Sequence, residues 1–70
     1  MKKIYLADKY NRARLILENG EEVIGKAIDV MDAEDGDGVD LGYQWLVFWP
    51  DGECNPLFLR EEDIQEVFPE

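Results

Sequence analysis

Apolar residues fall at alternate positions in Arg12-Ala13-Arg14-Leu15-Ile16-Leu17-Glu18, and the run stops at Asn19-Gly20. Alternation is the period of a half-buried strand. Asn-Gly between two such runs predicts a tight hairpin, whose type I′ turn needs two residues that tolerate positive φ. The next run, Glu21 to Met31, is long for one strand, and its apolar positions change phase across Gly25, from Val23/Ile24 to Ile28/Val30. Glycine at such a change predicts a bulge or a sharp bend, hence a long, bent second strand. Asp32 to Gly42 holds five acids and three glycines and reads as a solvated loop.

Tyr43-Gln44-Trp45-Leu46-Val47-Phe48-Trp49 is the most apolar segment. On a strand, Tyr43, Trp45, Val47 and Trp49 share one face, and Gln44, Leu46 and Phe48 share the other. Neither face is polar. One must fill the core, with Trp45 or Trp49 as its expected anchor. The other is either covered by the N-terminal segment or free to dock a partner or another copy of the chain. Pro50-Asp51-Gly52 reads as a turn. Glu53 to Leu59 reads as a fourth strand, placed at an edge or bulged because Pro56 lacks a ladder donor. Arg60 to Asp63 is a polar turn or one turn of helix, and Ile64 to Phe68 a short fifth strand. Ile4, Tyr5 and Leu6 fit either a short strand or a helical turn over one end of a barrel. The expected fold is mainly β, a five-stranded small barrel in which residues 1–70 form one domain.

Composition narrows the function. The 70 residues carry 17 acids against 7 Lys and Arg and no His, a formal charge of −10. With 46% hydrophobic residues the chain has enough apolar material to fold despite that charge. Ser, Thr and His are absent, which excludes a hydroxyl nucleophile with its usual base. A lone cysteine, Cys54, allows no internal disulfide and no zinc or haem ligand set, and in an apolar strand it is expected to be a buried, inert thiol. The run Trp45 to Trp49 is too short to span a bilayer. A non-enzymatic, cytoplasmic protein without a cofactor is the expectation.

The segment Leu15 to Val30, with its apolar strand, Asn19-Gly20, short hairpin, Ile24-Gly25 and continuing strand, resembles the Sm-like family of small SH3-like barrels. So does the tail, where Leu59 precedes the polar turn Arg60-Glu61-Glu62-Asp63 and the strand Ile64-Gln65-Glu66-Val67. The resemblance spans residues 13–68 and implies a bent second strand and a fold used elsewhere for RNA binding. RNA-binding members carry an Asp-x-x-x-Asn loop after the second strand and an Arg-Gly or Lys-Gly element near the fourth. This chain has acidic residues 32–42 at the first place and Leu57-Phe58-Leu59-Arg60-Glu61 at the second. The resemblance therefore implies the fold without the nucleotide contacts.

Two candidate sites follow. Asp32, Glu34, Asp35, Asp37 and Asp40 offer oxygen ligands of the kind hard cations use, but no register fits an EF-hand loop, so they are expected to form an acidic surface and no metal site. Tyr43, Trp45, Trp49, Leu57 and Phe58 supply aromatic and apolar groups of the kind that anchor protein interfaces. A protein partner is expected, and nucleic acid is not, because phosphates meet a chain of charge −10. The chain is read as a small acidic interaction module. The alternatives are a phosphate-mimicking inhibitor of a nucleic-acid-binding protein and an Sm-like RNA binder. Self-repulsion favours a monomer or small dimer over a closed ring.

Overall fold

The computed structural model describes Met1–Glu70 and holds one helix and five strands. The helix α1 (Lys3–Tyr10) is followed by β1 (Arg12–Leu17), β2 (Glu22–Glu34), β3 (Asp40–Pro50) and β4 (Leu57–Leu59). A single 3-10 turn at Glu61–Asp63 then leads into β5 (Ile64–Pro69). The strands form one antiparallel sheet in the order β4-β3-β2-β1-β5, a small barrel-like fold with β4 and β5 at its edges. No helix is long and apolar enough to cross a membrane.

The β1–β2 hairpin forms where Asn19-Gly20 marks it, with a different turn. Gly20 takes φ +89°, whereas Asn19 does not enter the left-handed region. Gly20 donates to the Leu17 carbonyl at 2.9 Å and Leu17 donates to Glu21 at 2.8 Å, so the loop holds three residues and ends in a bulge, the next commonest hairpin after the two-residue kind.

The long second strand is present, at 13 residues, but its register slips between Ala27 and Asp29, not at Gly25. Ile28 is the extra residue. Gly25 has another purpose. A Cβ there would overlap the Trp49 carbonyl and lie 2.6 Å from Pro50 Cα, so glycine lets β2 and β3 cross in close contact.

The acidic segment is shorter as a loop than its composition suggests. β2 continues through Glu34 and β3 begins at Asp40, which leaves a turn over residues 35–39. Asp35 closes it by accepting from the Asp37 and Val39 backbone N–H groups at 2.8 and 3.0 Å. The fourth strand is shorter too. Only Leu57–Leu59 pairs, and Pro56 lies just before it.

Ala13, Leu15 and Leu17 of β1, Ala27 of β2, Leu46 and Phe48 of β3, Leu59 and Ile64 form the core with Ile4 and Ala7 of α1. The N-terminal segment is thus helical, and it adds two side chains to the same core that the inner face of β3 fills. It does not cover β3's outer face. A Glu61 carboxylate, 58 residues away, accepts from the Lys3 N–H at 3.0 Å and the Ile4 N–H at 3.1 Å. These N–H groups have no partner within the helix, so Glu61 caps α1 from the far end of the chain. Asn11, at φ 68°, ends the helix, and its carbonyl accepts from Ala27.

A candidate docking face on the outside of the sheet

Strand β3 determines which side chains remain outside. Leu46 and Phe48 are fully buried between Val30 and Leu59 on one row and Ala27 and Leu57 on the next. The tryptophans belong to the opposite face. Trp49 is 38% exposed and Trp45 half-buried, so neither anchors the core; Phe48 does. The reason is the narrow interior. Its inward neighbours include Ala7, Ala13 and Ala27, and the barrel closes on a single phenylalanine at its centre.

Strand register lines up the outer residues. Met31 opposes Trp45, Asp29 and Phe58 flank Val47, and Lys26 opposes Trp49. Directly opposed side chains on one face lie about 5 Å apart, so these rows make one surface. Phe58 is 54% exposed, Met31 46% and the bulged Ile28 50%, all around a Val47 that is only 7% exposed. The bulge puts Met31 on this face, since an extra residue reverses the inside–outside alternation beyond it.

Of the five apolar residues singled out by sequence, the fold brings Trp45, Trp49 and Phe58 onto this face. Tyr43 braces its end. The Tyr43 ring meets Trp45 edge-on at 5.5 Å, and the Arg60 guanidinium lies 4.1 Å above it. Leu57 is not part of the face; it packs against the core. The Trp49 indole N–H donates to the Glu53 carbonyl at 2.8 Å and pins the Pro50–Glu53 turn, while the Tyr5 hydroxyl donates to Gln44 at the other end of β3. Met31 and Ile28 were missed as members. Their signal was the phase change in β2, which belongs to Ile28 and not to Gly25.

Three of the five acids have separate local duties. Asp35 closes the hairpin turn, Asp40 accepts from Gly42 N–H at 2.7 Å, and Asp32 accepts from the Gln44 amide at 3.1 Å. No three His, Cys, Asp or Glu side chains converge on one point. Further acids, Glu18 and Glu21, lie in the turn at the opposite end of β2, so the negative charge occupies both ends of the long hairpin.

The cations are largely matched. Arg12 grips Asp51 with two bonds of 3.1 and 2.7 Å, Arg14 pairs with Glu22 at 3.3 Å, Arg60 with Glu62 at 3.0 Å and Lys3 with Glu61 at 3.8 Å. Every arginine is therefore already on a carboxylate. Arg14 also covers the Phe68 ring at 4.8 Å. Hydrogen bonding from Arg12 holds the Asp51 carboxyl below the usual carboxylate range, and the same contact raises the Arg12 guanidinium. Cys54 is exposed, contrary to the expectation of a buried thiol, because residues 53–56 are irregular and no strand carries it inward.

Compared with family models, with curated proteins and with solved structures, the chain finds no match in any of the three.

Proposed function

We propose that this chain is a small, acidic, non-catalytic protein-interaction module whose partner docks on the outer face of β2, β3 and β4. The observation that supports this reading is the cross-strand register that sets Met31, Trp45, Val47 and Phe58 side by side with large apolar side chains left in water. Exposed apolar surface of this kind marks binding sites, and aromatic anchors contribute most of the energy at such sites. Kinship with the Sm-like family belongs to the same reading, through the long bent second strand and the 3-10 turn before the last strand. RNA binding does not belong to it, since all three arginines are neutralised within the chain.

The test is capture of host-cell proteins on the immobilised chain, compared with a Met31→Ser/Phe58→Ser variant of unchanged melting temperature. A protein retained by the wild type at high salt and lost by the variant is the expected result. Retention that is equal in both, or that high salt abolishes, would overturn the apolar face as the docking surface.

A further inference from the structure

A second surface, which shares only Phe58 with the outer face, lies along the free edge of the sheet. β4 is hydrogen-bonded only to β3, so the other side of its backbone has no strand to pair with. An unpaired edge is a template for an added strand. Proteins blunt such an edge by shortness, charge or proline, and of these β4 has only its three-residue length. Here Pro56 stops short of it, and Leu57-Phe58-Leu59 is wholly apolar.

Each end of β4 opens into a cleft. At the Leu57 end a cleft of about 410 Å³ is lined by Val23, Pro50, Pro56 and Leu57 together with Glu21 and Glu53. At the Leu59 end a cleft of about 300 Å³ is lined by Leu17, Leu59 and Asn19 together with Glu18 and Asp63. No Lys or Arg lines either one. None of the four carboxylates belongs to an ion pair, although four of the chain's seven cations are paired with acids elsewhere. The edge thus combines a backbone that seeks a strand, apolar walls, and carboxylates at both ends that no Lys or Arg side chain pairs, although Asp63 also accepts from the Arg60 N–H at 2.9 Å.

We infer that β4 takes up an extended, basic segment of a partner protein as a sixth strand, with apolar side chains entering the clefts and Lys or Arg meeting Glu21/Glu53 and Glu18/Asp63. Only a peptide backbone completes the ladder, and only a cationic one matches its surroundings. A second copy of this chain does not. Its other edge, β5, would bring Glu66 and a further charge of −10 to the same carboxylates.

The probe is a fluorescein-labelled peptide of alternating valine and lysine, read by polarisation and by amide chemical shifts of the labelled protein. The control is the same peptide N-methylated at alternate residues, which keeps the charge and removes the strand-pairing N–H groups. The expected outcome is saturable binding at least about tenfold tighter for the unmodified peptide, with shifts centred on Leu57–Leu59. A Glu21→Gln/Glu53→Gln variant should weaken it about threefold or more, and added salt should weaken it further. Met31→Ser should leave the affinity unchanged, which separates this edge from the outer face. Equal binding of both peptides, no saturable binding, shifts centred on Trp45 and Met31, or displacement of the peptide by self-association in sedimentation would each overturn the inference.

Discussion

Phe48 and Trp49 are neighbours of similar bulk, and their environments differ because strand geometry sends them to opposite faces. Phe48 is fully buried beside alanines from α1, β1 and β2, while Trp49 leans on a turn and shows 38% of its surface to water. Phe48→Ala should cost about 3–5 kcal/mol. Trp49→Ala should cost only about 1–2 kcal/mol, from partial burial and one hydrogen bond to Glu53. For so small a domain each kcal/mol moves the melting temperature by about 4–8 °C, so thermal unfolding of the two variants separates them clearly. A larger loss at Trp49 than at Phe48 would contradict the inside–outside assignment of β3.

Among the elements, α1 depends most on the rest of the molecule. Eight residues are too few for a helix to stand alone in water. No side chain near its start caps it, and its first turn holds no acid. Its stability comes from elsewhere, through Ile4 and Ala7 in the core and Glu61 bonded to its first N–H groups. Glu61 also pairs with Lys3 at 3.8 Å, so a single carboxylate fastens the helix to the turn before β5. Removing it by Glu61→Ala should cost about 0.5–2 kcal/mol, the usual range for a lost cap. Amide exchange should then quicken in residues 3–7 more than in the strands. Uniform acceleration across the sheet would show that the cap supports the whole barrel and not the helix in particular.

For the molecule as a whole, an excess of ten negative charges opposes compaction, and the ion pairs offset that locally. Arg12 and Asp51 join the start of β1 to the turn between β3 and β4, and the Asp51 backbone N–H donates to Ile24 at 2.9 Å beside them. The folded carboxyl of Asp51 titrates below its unfolded value of about 3.9. Its contribution is therefore fully present above that value and is lost as pH falls through the lower folded one. Arg12 stays protonated throughout that range. The wild type should melt above Asp51→Asn at neutral pH, and the gap should close in strong acid. A gap that stays constant from neutral pH into strong acid would show that the pair adds nothing through charge. Both groups are well exposed, so the gap should also shrink with salt.

Local pattern sufficed for the positions of every strand but β4. The alternation in Arg12 to Leu17, the long second run, the apolar Tyr43 to Trp49 segment and the turn at Pro50-Asp51-Gly52 are carried by neighbours in the chain, and they reappear at nearly those residues. Turn chemistry and a period of two act over a few residues, so they are legible without a partner strand. What lay beyond local reach was decided by contacts far apart in sequence. Asp32 to Glu34 and Asp40 to Gly42 look like loop by charge, yet become strand because Asp32 pairs with Gln44 and Glu34 with Asp40 across the hairpin. Gly25 looks like the bulge, yet it is required by the Trp49 backbone crossing above it, and the slip falls at Ile28. That displacement alone moves Met31 onto the outer face. The helix could not be told from a strand because its cap is 58 residues away. Which face of β3 is inside was equally closed to the sequence, since both faces are apolar. The choice went to Leu46 and Phe48 because they fit a narrow interior walled by alanine, which left the larger indoles outside.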